Sequence, residues 1–157
     1  MARRSRARQV AFQVLYQDDL NPRNNPAEAD AWLHRRLGSP ELVEFARALV
    51  AGVRRNRESL DQMIGQVAAN WSLDRMAATD RNVLRLGAYE LLHCDTPDRV
   101  AINEAVELAK RFGSGQSAQF VNGILDCLMH AGKHAGEGRG NDPRAFPAID
   151  QPLTNDE

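Results

Sequence analysis

With 157 residues, of which 43% are hydrophobic, the chain has the length of one domain and enough apolar side chains to form a core. Its formal net charge of -1 excludes attraction to nucleic acid or membranes by overall charge, so any such binding requires a local patch. No apolar run approaches the roughly 20 residues that span a bilayer, and no apolar signal segment follows the charged start. These features predict a cytoplasmic protein without membrane attachment.

Apolar residues recur at helical spacing along most of the chain, and no alternating strand pattern accompanies them. The first predicted helix runs from about Arg4 to Asp19, and a loop rich in Asn and Pro follows it. A short helix then ends at Gly38, after which Ser39 and Pro40 start a third helix as N-cap and first helical residue. A separate fourth helix is predicted to begin near Arg57.

The middle of the chain combines a linker with a fifth helix. Trp71 and Leu73 lie in the linker, where we expect both side chains to fill the core. Thr79 is the predicted N-cap of the fifth helix, which extends to about His93. Gly87 within this helix costs roughly 1 kcal/mol relative to alanine and therefore predicts a close contact with another helix.

Two more amphipathic helices are predicted between Val100 and Asp126, joined by a Ser-Gly-Gln turn. Gly113 is the expected stop of the first helix, and Ser117 is the expected N-cap of the second. Residues 1–134 are thus predicted to form one all-α domain, a compact bundle of about six or seven helices. Residues 135–157 are rich in Gly, Pro and acidic side chains and lack a period, which predicts a mobile tail.

Residue patterns typical of catalysis are scarce. The chain has no phosphate-binding glycine loop, no nucleophile elbow and no set of zinc ligands. Glu104 and Glu107 share a helix face but fit a solvated surface pair, and Cys94 and Cys127 fit isolated, reduced thiols. We therefore expect a protein that is not an enzyme and that uses neither a metal nor a cofactor.

A basic cluster opens the chain, and no acidic residue precedes Asp18. Arginine offers planar, paired donors to phosphate and stacks on exposed bases, so this cluster predicts an RNA clamp. A solvated helix start explains the same residues equally well. Phe112 and Phe120 border the turn as candidate stacking platforms, although periodicity alone favours core positions for both. The cluster consists of Arg3, Arg4, Arg6 and Arg8.

Four blocks of sequence, in order along the chain, resemble the NusB family of bacterial transcription antitermination factors. The first three are RRSRARQVAFQVLYQ at Arg3 to Gln17, LVAGVRRNRESLDQMI at Leu49 to Ile64, and DRNVLRLGAYELL at Asp80 to Leu92. The fourth and most specific block is VAINEAVELAKRFG with SAQFVNGILD, between Val100 and Asp126. The resemblance extends from the first helix to about residue 130, and the order and separation of the blocks make a chance match improbable.

The resemblance implies an all-helical fold of two small subdomains and a non-enzymatic role in RNA binding. Members of the family pair with NusE, a small-subunit ribosomal protein, and the pair binds the boxA element of nascent RNA. That complex joins NusA and NusG on RNA polymerase and promotes processive transcription of ribosomal RNA operons. The resemblance leaves homodimer formation open, because some NusB-like proteins self-associate.

The resemblance also assigns site residues by position. The arginine cluster matches the family's RNA-binding start, and Arg99 matches a basic position before the AINEA block. Tyr16 and Asp80 match positions on the NusE-facing surface, where Asp80 is the expected partner of a basic group. Gln116 and Gln119 stand where other members have charged residues, which leaves the chemistry of the turn open. The RNA-facing helix ends and turn are matched by Phe112, Gln116, Gln119 and Phe120. For the two phenylalanines, this match favours stacking over a core role.

Two asparagines lie within predicted helices, where asparagine is a poor helix former. For Asn103 and Asn122 we favour a structural hydrogen bond between helices over direct contact with RNA. Glu90 and Asp126 are also predicted to be structural, with Arg85 or Arg111 as possible partners that one sequence cannot assign.

Two rival functions stay open at this point. Some RNA methyltransferases carry a NusB-like N-terminal domain, but they add a cofactor-binding domain, and this chain has no glycine-rich nucleotide loop. The other rival is a purely protein-binding helical adaptor, in which the basic start is incidental. Cofactor binding would favour the first, and RNA binding that is insensitive to the arginines would favour the second.

Overall fold

Six α-helices and one short 3₁₀ turn make up the part of the chain that the computed structural model describes, residues 3–69 and 71–139, with side chains described up to residue 132. This confirms the all-α prediction. The 3₁₀ turn, Leu73–Arg75, lies between the third and fourth helices. The helices are α1 (Arg3–Leu20), α2 (Pro26–Leu37), α3 (Pro40–Val67), α4 (Ala78–His93), α5 (Asp98–Phe112) and α6 (Ser117–Arg139).

Local hydrogen bonds set both ends of α2 and the start of α3. The Asn25 side chain accepts a hydrogen bond from the Ala27 backbone N–H at 3.0 Å, and so caps α2. Gly38 ends α2 with a φ of 73°, a left-handed conformation that glycine adopts without a steric penalty. Ser39 then accepts from the Leu42 N–H and caps α3. The Gly38 stop and the Ser39 cap agree with the sequence prediction, whereas Asn25 and Pro26, predicted to lie in the loop, begin α2.

The helices form two packed groups, as expected for two small subdomains. Helices α1, α2 and α3 pack on one another, α4, α5 and α6 do the same, and α1 and α3 join the groups by packing on α4. Gly87 lies at the centre of the second group, where a Cβ would come within 2.8 Å of Leu125 and 3.0 Å of Ala105. The predicted close helix contact at Gly87 is confirmed, and it allows three helices to meet there.

The prediction of separate third and fourth helices is wrong, because α3 continues unbroken to Val67. Nothing in its middle interrupts the backbone, and the buried stripe passes directly from Val53 to Leu60 and Ile64. The exposed arginines between them reduced the apolar signal without breaking the helix. The sequence analysis divided the helix because it treated this charged stretch as a break between two apolar patterns.

Two predicted caps are also wrong. Thr79 is already inside α4, whose N-cap is Ala77 with no side-chain hydrogen bond. Ser117 is the first residue of α6, and its hydroxyl accepts from the Ser114 backbone N–H at 2.9 Å, so it closes the turn instead of capping the helix. Gly113 does end α5, as predicted.

The linker before α4 differs from the prediction in its tryptophan. Leu73 packs against the core as expected, but Trp71 is 54% exposed and does not fill it. Met76 occupies the buried position of this segment instead. The linker thus presents a large aromatic ring at the surface.

The last helix extends past the predicted domain boundary at residue 134 and ends at Arg139. The remainder of the predicted mobile tail, residues 140–157, lies outside the described residues. Among the described helices, none has the length and apolar character needed to cross a membrane.

Candidate nucleic-acid interface

The arginine cluster occupies the first turns of α1, where its four members have different surroundings. Arg3 and Arg4 are exposed and Arg6 is half-buried. The Arg3 guanidinium donates to Ser39 Oγ at 3.3 Å, while that of Arg4 lies 4.5 Å from the centre of the Phe45 ring. Arg6 makes no hydrogen bond or ion pair with a residue in the described ranges. Three of the four arginines therefore offer donors to a ligand at the surface.

Arg8 is buried and paired in this fold, unlike the other three members of the predicted clamp. It is 5% exposed, and its Nε donates to both carboxylate oxygens of Glu90, at 2.9 and 3.0 Å. Thr96 also donates to Glu90, at 2.7 Å, and Glu104 lies 3.7 Å from Arg8 on the other side. With its donors directed at carboxylates and its surface covered, Arg8 holds α1 against α4 and α5.

The acidic residues nearby are partners of these basic groups. Ser5 donates to Glu104 at 2.8 Å, so the predicted solvated pair is wrong for Glu104. Glu90 pairs with Arg8 and Asp126 with Arg99, so among the described residues neither acid uses Arg85 or Arg111; Arg85 pairs with Asp61 instead. The Arg99 pair, at 3.1 Å, is well exposed. An exposed ion pair contributes only about 0–1 kcal/mol, so Arg99 can exchange Asp126 for a phosphate at little cost.

The Ser-Gly-Gln turn forms one wall of a second cluster of candidate residues. Gln116 and Gln119 are exposed there, and Phe120 is half-buried. The Phe120 ring lies edge-on to Trp71, with a distance of 6.1 Å between ring centres. These residues line a surface cavity of about 410 Å³, which the sequence reading missed because it placed Trp71 in the core.

Phe112 faces a different cavity. Its ring packs against the buried ring of Phe12 with 5.0 Å between ring centres. The Arg111 guanidinium lies 5.7 Å from the centre of the Phe112 ring. This cavity, of about 650 Å³, lies between α1 and α2 and is also lined by Tyr16 and Trp32. The two predicted stacking residues thus lie in separate cavities, and Phe112 shares its cavity with a residue of the predicted NusE-facing surface.

Asp80 belongs to the cavity at the turn. It is half-buried near the start of α4, and its Oδ1 atom is buried without a hydrogen bond to any described residue. A buried acceptor without a partner costs free energy, commonly about 1–3 kcal/mol. The geometry therefore leaves Asp80 able to gain from a donor supplied by a ligand or partner.

The arginine cluster lies beside the middle of α5, and the turn follows the end of that helix. The Ser5–Glu104 hydrogen bond brings the start of α1 to the first half of α5, whereas the Phe12–Phe112 contact lies at its end. From Glu104 to Phe112 the helix rises by about 12 Å. A single ligand that contacts both the arginine cluster and the turn spans about 12 Å along α5, which an extended single strand of nucleic acid can do.

The two helical asparagines do not have the structural role favoured from the sequence. Asn103 and Asn122 are both exposed, and their side chains make no hydrogen bond to a described residue. Cys94 and Cys127 are half-buried free thiols, as expected. Burial raises the pKa of the Cys94 thiol, and the nearby Glu90 carboxylate raises it further, so that this group is a poor nucleophile.

Comparison with known proteins identifies the family of the chain. The model of the NusB family matches residues 5–130. The chain belongs to the NusB family. The transcription antitermination protein NusB of Anaeromyxobacter dehalogenans (strain 2CP-1 / ATCC BAA-258) is 47% identical over 126 residues, which cover 80% of this chain and 89% of the relative.

Solved structures of the family share the fold. NusB of T. maritima superposes with a TM-score of 0.73 at 37% identity, over 83% of this chain and 92% of that one. A chain from a crystal structure of the antitermination factors NusB and NusE in complex with dsRNA has a TM-score of 0.73 at 32% identity, over 83% of this chain and 98% of that one. The family model spans all of α5 and α1 from Ser5 onward, so Arg3 and Arg4 precede the matched region.

Proposed function

We propose that this chain is a non-enzymatic transcription antitermination factor of the cytoplasm, which binds boxA-type RNA together with NusE. In this role it promotes processive transcription of ribosomal RNA operons within a complex of RNA polymerase, NusA and NusG. The observation that carries the proposal is the row of available cations and turn residues along α5, on a chain that belongs to the NusB family. A solved complex of the family member NusB with NusE and dsRNA supports both partners.

The phosphates of the RNA are assigned to the arginine end. Arg3, Arg4 and Arg6 supply the charge, and Arg99 joins them after it leaves Asp126. Guanidinium groups bind phosphate in bidentate fashion, and their contribution to affinity falls as salt is added. Arg8 contributes indirectly, because its pair with Glu90 fixes the position of the helix that carries the other three.

The bases of the RNA are assigned to the turn, where Gln116 and Gln119 are exposed beside Phe120. Amide side chains can read base edges, and an aromatic ring can stack on an unpaired base. Phe112 is the counterpart on the far side of the turn, with one ring face already packed on Phe12.

NusE is assigned to the surface that contains Tyr16 and Asp80. Tyr16 lines the larger cavity, which offers several aromatic rings to an apolar anchor of a partner. The uncompensated Asp80 oxygen is suited to a basic donor. Self-association through such a surface would hide it, so we treat a homodimer as a competing state of the same chain.

Titration of fluorescently labelled boxA RNA, with and without NusE, tests the proposal. Replacing Arg3, Arg4 and Arg6 by alanine removes three phosphate contacts and lowers the salt slope of log K by about 2, since each contact with a single strand contributes about 0.7. We expect affinity at 0.1 M salt to fall roughly tenfold to one-hundredfold. A matched control removes three other exposed arginines, namely Arg23, Arg36 and Arg55.

The control variant should keep most of the RNA affinity, because its arginines lie outside the row along α5. Equal losses in both triple variants would mean that only net charge matters, and no loss in either would remove the RNA assignment in favour of the protein-binding adaptor. Binding of a nucleotide-like cofactor with a measurable reaction on RNA would instead support the methyltransferase alternative.

A further inference from the structure

Trp71 is the least expected side chain on the surface of this protein. It is 54% exposed, although tryptophan is a large apolar residue that proteins mostly cover. Its ring stands edge-on to Phe120, 6.1 Å between centres, so its faces are not stacked on that neighbour. An exposed indole beside a second aromatic ring is the arrangement that single-stranded nucleic-acid sites use to hold a base.

The segment that carries Trp71 is held in place by hydrogen bonds. Its backbone N–H donates to the Ala68 carbonyl at 2.8 Å. The Arg81 guanidinium donates to the carbonyls of Leu73 at 2.9 Å and Met76 at 3.0 Å, so α4 clamps the 3₁₀ turn. A binding group on a fixed backbone loses less entropy when it orders a ligand. Hydrogen bonds to neighbouring helices thus hold Trp71 in its exposed position.

The cavity next to Trp71 has the composition of a nucleotide site. Its volume of about 410 Å³ is within the range of small-ligand pockets, roughly 300–1,000 Å³. Arg75 supplies a cation, the turn supplies two amides, and Asp80 is the single acidic residue in the lining. Every base carries N–H donors, which can satisfy the Asp80 carboxylate, while Arg75 can meet the adjoining phosphate.

From these contacts we infer that Trp71 and Phe120 form a pocket for one unstacked base of the bound RNA, with Arg75 on its phosphate. This inference rests on the proposed function and adds two residues, Trp71 and Arg75, to the RNA interface. The rival occupant is the basic group of NusE to which Asp80 is assigned above; the two assignments exclude each other, and this inference replaces that of Asp80. The observations favour the base, because the positive charge of Arg75 disfavours a second cation in the same cavity.

Tryptophan fluorescence provides the direct test. The chain has two tryptophans, so a Trp32→Phe background leaves Trp71 as the single reporter. The probe is a short single-stranded boxA-type RNA, together with a series of the same RNA in which one ribose at a time lacks its base. We expect saturable quenching by the intact RNA, and loss of quenching for one member of the series.

Affinity measurements on substituted chains complete the test. Removing a base–aromatic stack should lower the affinity of Trp71→Ala about fivefold to one-hundredfold. Trp71→Phe should retain most of the binding, because it keeps an aromatic face. Trp71→Ala should bind the intact RNA and the abasic RNA that loses quenching with equal affinity, because this variant has already lost the stack with that base. Arg75→Ala should lower affinity and salt dependence, whereas the exposed Arg55→Ala serves as its matched control.

The outcomes separate this inference from the proposed function. If Trp71→Ala binds the RNA unchanged while the triple arginine variant loses binding, the base pocket is wrong and the proposed function stands. If Trp71→Ala binds RNA unchanged but binds NusE more weakly, the cavity receives a protein side chain and the inference is again wrong. If the unaltered chain binds no boxA RNA, with or without NusE, both fail. Circular dichroism and thermal unfolding of each variant establish that the fold is retained.

Discussion

Replacement of Arg8 by methionine tests whether this arginine supports the fold or binds RNA. The substitution keeps a long, unbranched side chain but leaves the Glu90 carboxylate buried without its partner. Both oxygens of Glu90 would lose donors, and only the Thr96 hydroxyl would remain. We therefore expect a large loss of stability, at a site that sequence alone assigns to ligand binding.

The magnitude follows from the burial of both partners. Their side chains are 6% and 2% exposed, so water cannot replace the lost donors. Removal of one partner from a buried pair commonly costs about 3–5 kcal/mol, because the other charge stays uncompensated. Since domains of this size are stable by about 5–15 kcal/mol, much of the stability of the fold would be lost. Replacing both residues, as in Arg8→Met with Glu90→Met, should restore much of it.

Urea unfolding followed by circular dichroism measures these differences. The control is Arg6→Met on the same helix, which we expect to change the free energy of unfolding by no more than about 0.5 kcal/mol. A loss of less than 1 kcal/mol in Arg8→Met, combined with a tenfold or greater loss of RNA affinity in the folded protein, would refute the structural role. A double variant less stable than either single variant would refute the pairing with Glu90.

Two further predictions concern packing and acid stability. A Cβ at Gly52 would overlap the Tyr89 ring, so Gly52→Ala should destabilise the fold by about 1–3 kcal/mol in the same urea assay. Gly123→Ala on α6 meets nothing within 4 Å and should instead stabilise by about 0.5–1 kcal/mol; a loss of equal size would contradict the steric explanation. Burial raises the pKa of Asp19, but hydrogen bonds from Asn82 and Arg81 outweigh it and hold that pKa below 3.8. The stabilisation from Asp19 is thus complete above pH 3.8 and lost as pH falls further, and Asp19→Asn should make acid unfolding less steep. If the loss of stability at low pH is the same in Asp19→Asn as in the unaltered chain, other carboxylates control acid unfolding.

Helix positions were predictable where the signal is local. The Gly38 stop and the Ser39 cap depend on residues that are adjacent in sequence, and the structure has both. Errors arose where two local signals compete. The arginines after Val53 interrupt the apolar stripe of α3, yet surface charge does not end a helix that keeps its backbone hydrogen bonds. Ser117, the first residue of α6, resembles a cap, but its hydroxyl closes the turn.

The site was predictable in outline and less so in detail. The sequence identified the basic start and the turn, which the structure places beside the middle of α5 and after its end. It placed Trp71 in the core because large apolar residues are usually buried, whereas its exposure depends on which neighbour fills the interior. Here Met76 fills it, and no spacing rule distinguishes the two side chains in advance.

The amino-acid sequence by itself determined the all-α class, most helix ends and the family, because these depend on residues a few positions apart or on blocks in a set order. The tertiary structure alone decided which members of the arginine cluster face solvent. Arg3 and Arg8 belong to the same helix and the same motif, but a partner 82 positions along the chain buries Arg8. The physical reason is that burial and charge pairing depend on neighbours in three dimensions. Helix periodicity predicts which face of a helix a residue lies on, but not which residue it contacts.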